Sequence, residues 1–161
     1  FCADGYFGCM AAQKGAGSVV GIDLNPYHLD RARLAARLLG LDDRVRFELR
    51  NVFSVDEPHD VVMNCGGLYH IDNPWELLRR NRALNPSALV VQTVYSLART
   101  ERDYFETPTP GWTWGCRFSL AFFEDMVRAA GWRIEQMETN ELEGNDRPED
   151  RGSVYAVCTP K

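Results

Sequence analysis

The sequence predicts an α/β protein in which helices cover a doubly wound, mostly parallel sheet. Short apolar runs of strand length alternate with segments whose apolar residues recur at helical spacing, a pattern typical of parallel sheets with crossover helices. The pairs Asn25-Pro26 and Asn73-Pro74 each supply a favoured N-cap and a favoured first helical residue. These signals place two helix starts, one directly after an apolar strand pattern and one a few residues beyond the next such pattern to end in glycines.

Local signals predict each element in turn. The expected order is a helix at 5–14, a strand at 18–23, a helix at 25–39, strands at 45–49 and 60–65, a helix at 73–84, a strand at 88–95, a helix at 119–131, and closing strands at 132–138 and 153–159. Residues 96–118 form a long irregular stretch, and connections of that length are usually functional or mobile. In a parallel sheet each helix connects two strands, so we expect a strand ahead of the first helix and therefore ahead of Phe1. We interpret residues 1–161 as a single, N-terminally truncated domain.

Composition excludes several classes of protein. The 161 residues are 45% hydrophobic and 25% charged, as in an ordinary globular domain. A net charge of −5 gives no global positive field for nucleic acid, and no apolar run reaches the length of about 18 residues that a membrane span needs. The five cysteines form no CxxC and no zinc-like spacing with histidine, so neither a metal site nor structural disulfides are predicted. The expected location is the cytoplasm.

The turn before the first helix is the natural ligand site of such a fold, because ligands bind beyond the carboxyl ends of the strands. Ala3-x-Gly5-x-x-Gly8 partly matches a dinucleotide fingerprint, although an ordinary glycine-assisted turn explains it equally well. Asp23 lies eighteen residues after Gly5, at the predicted end of a strand. A carboxylate there can accept hydrogen bonds from both hydroxyls of a ribose. Since Asn25 is the better helix cap, we favour the ribose role for Asp23.

A family resemblance is carried by four segments: residues 2–7 (CADGYF), 19–23 (VVGID), 50–53 (RNVF) and 60–70 (DVVMNCGGLYH). Together they resemble the class I S-adenosylmethionine-dependent methyltransferases over essentially the whole chain. The resemblance implies a Rossmann-like sheet with an antiparallel last strand, and S-adenosylmethionine as the cofactor. The glycine-rich motif of the family falls at Phe1-x-Ala3-x-Gly5, so that only its last glycine is kept.

The resemblance also implies roles for individual residues. Asp4 and Gly5 are expected by the methionine part of the cofactor, and Asp23 is expected to hold the ribose. Cys65 and Gly66 are expected to offer backbone groups to the methionine end. The residues expected around the adenine are Leu24, Asn51, Val52 and Phe53. The side-chain oxygen of Asn51 can accept a hydrogen bond from the adenine amino group.

Tyr69 and His70 follow directly and are expected near the methyl group. His70 is a candidate general base, because its unperturbed pKa lies near neutrality. An alternative of equal weight is that His70 merely hydrogen-bonds its neighbours. Tyr69 is predicted to be a wall of the active site rather than a base.

The long stretch holds Trp112, Trp114 and Arg117, which we predict to form a lid that binds substrate. The alternative is a small satellite core beneath a long loop, which is common. If the lid is correct, Arg117 suits an anionic group of the substrate.

These observations predict a methyltransferase that acts on a small-molecule acceptor. Gly67-Leu68-Tyr69-His70 is also similar to the branch that modifies the wobble uridine of transfer RNA by carboxymethyl transfer. The acidic balance argues against nucleic acid, as does the segment from Glu141 to Arg151, which has five acidic residues against two arginines. Two further alternatives are an NAD-dependent oxidoreductase and a non-enzymatic, cofactor-binding fragment. No membrane partner is expected, and the sequence does not indicate an oligomeric state.

Overall fold

The computed structural model describes residues 1–141 and 151–161. The chain divides into two compact units, Phe1–Val55 and Asp56–Lys161. Most of the acidic segment noted in the sequence, residues 142–150, lies outside the described residues. None of the described helices combines the length and apolar character that crossing a bilayer requires.

The first unit pairs two helices with two strands. Its elements are α1 (Tyr6–Gln13), β1 (Val19–Asp23), α2 (Pro26–Leu38), β2 (Val45–Leu49) and a 3-10 turn (Val52–Ser54). Strands β1 and β2 are parallel, with Val19 opposite Val45 and Asp23 opposite Leu49. The core consists of Cys9, Ala12, Leu29, Ala32, Ala36, Leu41, Val45 and Phe47. The buried residues of α2 recur at the helical spacing that the sequence predicted.

The second unit is built on a four-stranded mixed sheet. Its elements are β3 (Val61–Cys65), a 3-10 turn (Leu68–His70), α3 (Pro74–Ala83), β4 (Ala88–Tyr95), β5 (Phe105–Glu106), β6 (Arg117–Phe118), α4 (Leu120–Ala129), β7 (Trp132–Glu141) and β8 (Gly152–Pro160). Strands β3 and β4 are parallel. Strand β8 lies between β4 and β7 and is antiparallel to both. The α/β class and the antiparallel last strand are therefore confirmed.

The helices of both units begin where the sequence predicted. Asn25 Oδ1, Asn73 Oδ1 and Ser119 Oγ each accept a hydrogen bond of 3.0 Å from a backbone N–H in the first turn of the helix that follows. Each bond satisfies a donor that the helix itself leaves unpaired. These caps fix where α2, α3 and α4 start.

The sequence predicted an irregular stretch at residues 96–118, but the structure has two short strands there. Phe105 pairs with Phe118, and Glu106 with Arg117, in the antiparallel strands β5 and β6. Phe118 is fully buried, and Phe105 stacks on Phe122 of α4 with ring centroids 5.2 Å apart. A strand of two residues is too short to show the alternation of apolar and polar residues that predicts a strand. Strands β5 and β6 are therefore recognisable only from their pairing and packing in the structure.

Candidate active site

The carboxylate of Asp23 lies at the carboxyl end of β1 and is held by backbone donors. The Asn25 N–H donates to Oδ1 at 3.0 Å, and the Ala3 N–H donates to Oδ2 at 2.9 Å. The Leu24 backbone N–H also acts on this carboxylate, which has about four acceptor positions in all. Acceptor capacity therefore remains for a ribose hydroxyl.

The surroundings of Asp23 also keep it ionised. Burial of the side chain, which is 16% exposed, pushes its pKa upward. Backbone hydrogen bonds, above all those from Asn25 and Ala3, hold the pKa below its usual value. The carboxylate therefore carries its charge at neutral pH and accepts hydrogen bonds strongly.

Gly5 is required by both backbone conformation and packing. Its φ is +80°, a left-handed value, and a Cβ there would lie 2.5 Å from Phe47 Cζ and 2.8 Å from Ala32 Cβ. Ala3, at a position where the resembled motif has glycine, also has a left-handed φ of +46°. The ordinary-turn interpretation therefore accounts for Gly5 by itself, and its place beside the cofactor stays a prediction.

Asp4 is engaged with α2. Its Oδ1 lies 2.9 Å from His28 Nδ1 and 3.2 Å from Arg31 Nη2, and its side chain is 53% exposed. These contacts give Asp4 a structural role at the start of the unit. The expected contact with the methionine part of the cofactor is untested.

The residues expected around the adenine differ in exposure. Leu24, directly after β1, is 66% exposed, although it is apolar. Asn51 caps the 3-10 turn, because its Oδ1 accepts the Phe53 N–H at 2.9 Å. Phe53 and Val52 are half-buried. Leu24 is thus an apolar surface that a flat ring would cover, and the Asn51 oxygen keeps one acceptor position for an amino group.

Cys65 and Gly66 end strand β3 in the second unit. The Gly66 N–H donates to the Gln92 carbonyl at 2.9 Å, so this donor is used within the sheet. Burial raises the pKa of the Cys65 thiol to about 11. The thiol is therefore neutral at physiological pH and is not a nucleophile.

Tyr69, His70, Trp114 and Trp112 form a continuous series of rings, which we call the aromatic ladder. The Tyr69 and His70 ring centroids are 4.1 Å apart. His70 stacks on Trp114 at 5.1 Å with an interplanar angle of 17°. Trp112 meets Trp114 edge-on at 5.1 Å and 66°. The second unit therefore brings its predicted catalytic residues into contact with the tryptophans predicted to bind substrate.

The ladder is anchored by main-chain contacts. The Cys116 N–H donates to the Tyr69 carbonyl at 3.0 Å, and the Thr109 N–H donates to the Gly115 carbonyl at 3.1 Å. Gly115 has a φ of +75°, and a Cβ there would collide with the Tyr69 carbonyl oxygen. The sequence analysis did not single out Gly115, because no local pattern shows how closely it approaches Tyr69.

The Tyr69 hydroxyl is protonated and lies near positive charge. Burial raises its pKa, while Arg151 and Arg117 act in the opposite direction without cancelling the rise. Tyr69 is thus a hydrogen-bond donor at neutral pH. Arg117 is only 6% exposed. The sequence offered no signal for Arg151, which follows the acidic segment and reaches this region only through the fold.

The lid and satellite-core interpretations of residues 96–118 each describe different residues. Phe105 and Phe118 belong to a satellite core, in which Phe105 also packs edge-on against Trp75 at 5.0 Å. Trp112 and Trp114 lie outside that core and are 55% and 42% exposed. The two tryptophans therefore present aromatic surface to solvent, as the lid interpretation requires.

Metal chemistry finds no support in residues 1–141 and 151–161, where no group of three or more His, Cys, Asp or Glu side chains is arranged to hold an ion. All five cysteines are free thiols.

Known proteins share this fold. The cyclase SpnF superposes with a TM-score of 0.74 at 22% identity, covering 99% of this chain and 72% of that chain. An S-adenosylmethionine-dependent methyltransferase from Mesorhizobium loti gives 0.72 at 19% identity, with 98% and 87% covered. Geranyl diphosphate methyltransferase in complex with S-adenosylmethionine gives 0.77 at 14% identity, with 99% and 75% covered.

The sequence itself matches a known family as well. A family model described as a methyltransferase domain matches residues 1–119, which is most of the chain. The match includes all four segments that carried the resemblance. The chain therefore belongs to the methyltransferase-domain family.

Proposed function

We propose that this methyltransferase acts on a small-molecule acceptor and that Asp23 holds the ribose of its cofactor. The observation that carries the ribose assignment is the Asp23 carboxylate, which is ionised, is held by backbone N–H donors at the end of β1, and has acceptor capacity left. Such a group binds two adjacent hydroxyls without rearranging, so little conformational freedom is lost on binding.

When bound, S-adenosylmethionine supplies a methyl group whose carbon–sulfur bond breaks as an acceptor lone pair bonds to the carbon, leaving S-adenosylhomocysteine. The enzyme's main task is to orient the reactants and to exclude water. Leu24 covers the adenine, and the Asn51 oxygen accepts from its amino group. His70, held between the rings of Tyr69 and Trp114, takes the acceptor proton where the acceptor carries one.

The net charge of the chain and a protein that shares its fold both support a small-molecule acceptor. A net charge of −5 repels polyanions such as RNA. Geranyl diphosphate methyltransferase, which shares the fold, is named for a small-molecule substrate. An NAD-dependent oxidoreductase has no comparable support, since the family match is to a methyltransferase domain.

Calorimetry with S-adenosylhomocysteine tests the proposal. We expect binding to the unmutated protein, and a loss of at least about 1.5 kcal/mol in Asp23→Ala, because hydrogen bonds to a charged group contribute about 1.5–3 kcal/mol. Asp30→Ala is the matched control, because Asp30 is a 73% exposed aspartate on α2 that pairs with Arg33. Asp23→Asn keeps the size of the side chain and separates lost charge from a disturbed turn.

The proposal fails if the folded protein gives no heat with S-adenosylhomocysteine, or if Asp23→Ala binds it as tightly as Asp30→Ala does. A titration with NAD runs in parallel. Tighter binding of NAD than of S-adenosylhomocysteine would favour the oxidoreductase alternative instead.

A further inference from the structure

We propose that the indole rings of Trp112 and Trp114 bind the ammonium group of a cationic amine, and that such an amine is the methyl acceptor. The inference rests on the proposed function and deepens it, because it names the chemical class of the small molecule. Two separate features of the second unit support it. The two rings form an open corner, which we call the indole corner, and a carboxylate lies against the loop that carries them.

The indole corner presents aromatic surface in two directions. Trp112 and Trp114 are 55% and 42% exposed, and their ring planes meet at 66° with the centroids 5.1 Å apart. A cation is attracted to the electron-rich face of an aromatic ring, and Trp is the best such ring. A compact ammonium group can lie against both rings of the corner at once, whereas a flat ring can stack on only one of them. The shape of the corner therefore favours a cation.

The complementary negative charge comes from Asp72, whose side chain is exposed. Thr107 Oγ1 lies 3.3 Å from Asp72 Oδ1 and 3.0 Å from the carbonyl oxygen of Gly115, which directly follows Trp114. A single side chain thus joins the carboxylate to the loop that carries the indole corner. Because a hydroxyl has only one hydrogen to donate, the two oxygens compete for it, and Asp72 keeps acceptor capacity for an ammonium N–H.

The arginines near Tyr69 do not turn this surface into an anion site. Arg117 is 6% exposed, so it presents little of its guanidinium to a ligand. Both Arg117 and Arg151 already take part in interactions within the chain. The net charge of the chain is −5, which attracts a small cation and repels an anion at longer range.

The indole corner is also held in place by its backbone. The Trp112 N–H donates to the Thr109 carbonyl at 2.9 Å, and the Thr109 N–H donates to the Gly115 carbonyl at 3.1 Å. The Cys116 N–H ties the same loop to the Tyr69 carbonyl at 3.0 Å. A ligand does not have to order this loop, which favours affinity for a small molecule.

An amine acceptor fits the residue beside the corner. His70 stacks on Trp114 with an angle of 17° between the rings. Alkyl amines are protonated at neutral pH, so the nitrogen of such an acceptor must lose a proton before it can attack. The proton passes to the His70 imidazole, and the freed lone pair bonds to the methyl carbon. The carbon–sulfur bond breaks with its electron pair going to sulfur, so the methylated nitrogen carries the positive charge that the sulfonium loses.

Three probes with the same branched head separate charge from size. They are choline (cationic), 3,3-dimethylbutan-1-ol (its neutral carbon isostere) and 3,3-dimethylbutanoate (anionic). The quaternary nitrogen of choline cannot accept a methyl group, so choline reports binding without reaction. Calorimetry is done on protein saturated with S-adenosylhomocysteine. We expect choline to bind at least about fivefold more tightly than the neutral isostere, since both indole faces favour a cation, and the anion to bind most weakly.

Aromatic variants assign the binding to the indole corner. Trp112→Ala and Trp114→Ala are each expected to weaken choline at least about threefold. Trp114→Phe should bind choline with intermediate affinity, because Phe is a weaker partner for a cation than Trp. Tyr155→Ala is the matched control, because Tyr155 is an aromatic residue of β8 that is also 42% exposed.

A carboxylate variant tests the contribution of charge. Asp72→Asn is expected to weaken choline about threefold and to leave the affinity for the neutral isostere unchanged. Asp60→Asn is the matched control, because Asp60 is an exposed aspartate at the opposite end of β3 from the segment that leads to Asp72. The affinity for S-adenosylhomocysteine is measured for every variant and is expected to stay unchanged.

The outcomes distinguish the inference from the proposed function. If S-adenosylhomocysteine binds but choline binds no more tightly than its neutral isostere, the inference is wrong and the proposed function stands. Tightest binding of 3,3-dimethylbutanoate would likewise overturn the inference, in favour of an anionic acceptor. Choline binding that is equally strong in Trp112→Ala, Trp114→Ala and Tyr155→Ala would show that the indole corner is not its site. If S-adenosylhomocysteine itself does not bind, the proposed function is wrong and the inference about the acceptor fails with it.

Discussion

The end of β1 and the aromatic ladder are held in place in different ways. At Asp23 and Asn51, the side-chain oxygens accept backbone N–H groups only two residues away, from Asn25 and Phe53. In the ladder, by contrast, His70 stacks on Trp114, more than forty residues further along the chain. Local turn chemistry thus positions Asn51 and one oxygen of Asp23, whose other oxygen accepts the Ala3 N–H, twenty residues earlier. The aromatic surface depends on long-range packing.

The largest expected effects on stability come from substituting a glycine in each of the two regions. Gly115→Ala should destabilise the protein by about 2–5 kcal/mol, because it adds a left-handed strain of about 1–2 kcal/mol to overpacking of about 1–3 kcal/mol. Gly5→Ala should cost less than Gly115→Ala, since its clash is mainly with the Phe47 ring and not with backbone. Urea unfolding measures both free energies.

Two other glycines serve as controls. Gly40 has a φ of +65° and no atom within 4 Å of an added Cβ, so Gly40→Ala isolates the backbone strain. Gly17 has neither a left-handed φ nor a neighbour there, so Gly17→Ala should be neutral or slightly stabilising. A Gly115→Ala protein as stable as Gly40→Ala would show that the ladder is not rigidly anchored.

The pH dependence of stability is a second and smaller effect, confined to the end of β1. The pKa of Asp23 is lowered in the folded protein from a value near 3.9 in the unfolded chain. Its contribution to stability is therefore complete above about pH 4 and is lost as the pH falls through the folded pKa. We expect the difference in urea midpoint between the unmutated protein and Asp23→Asn to shrink below about pH 4.

Trp114→Phe provides the contrast in the same pH series, because the Trp114 side chain does not titrate. The difference in urea midpoint between Trp114→Phe and the unmutated protein should stay constant across this pH range. If the difference in urea midpoint between the unmutated protein and Asp23→Asn is equally constant down to about pH 2, the assigned role of the Asp23 charge is contradicted.

The smallest expected effect is at Ala3. Its φ of +46° is left-handed, a conformation that costs an L-residue about 1–2 kcal/mol relative to glycine. Ala3→Gly also adds about 0.4–1 kcal/mol of chain entropy to the unfolded state, so the net stabilisation should be about 1 kcal/mol or less. Asn85→Gly is the control, because Asn tolerates the left-handed region and its φ is +55°. A less stable Ala3→Gly protein would contradict this account.

The sequence was sufficient wherever a structural signal lies within a few residues. The caps at Asn25, Asn73 and Ser119 and the strand ending at Asp23 are of this kind, and each was predicted correctly. The family was also predicted from short segments and is confirmed by the match to residues 1–119. The individual roles assigned to the site residues stay predictions, because the experiments above have yet to test them.

Other features could not be predicted, because they depend on residues that meet only on folding. Strands β5 and β6 contain two residues each and are recognisable only by their pairing. The approach of Gly115 to the Tyr69 carbonyl and the charge of Arg151 near Tyr69 join residues 46 or more positions apart. No local pattern encodes such distances.

By itself, the sequence determined the helices, the strands other than β5 and β6, the helix starts and the methyltransferase family, since backbone propensity and side-chain capping act over a few residues. The tertiary structure alone decided how the aromatic residues of 96–118 divide. It buries Phe118 and leaves Trp112 and Trp114 exposed on an anchored turn. The physical reason is that burial is a property of packing between distant segments, which composition cannot specify.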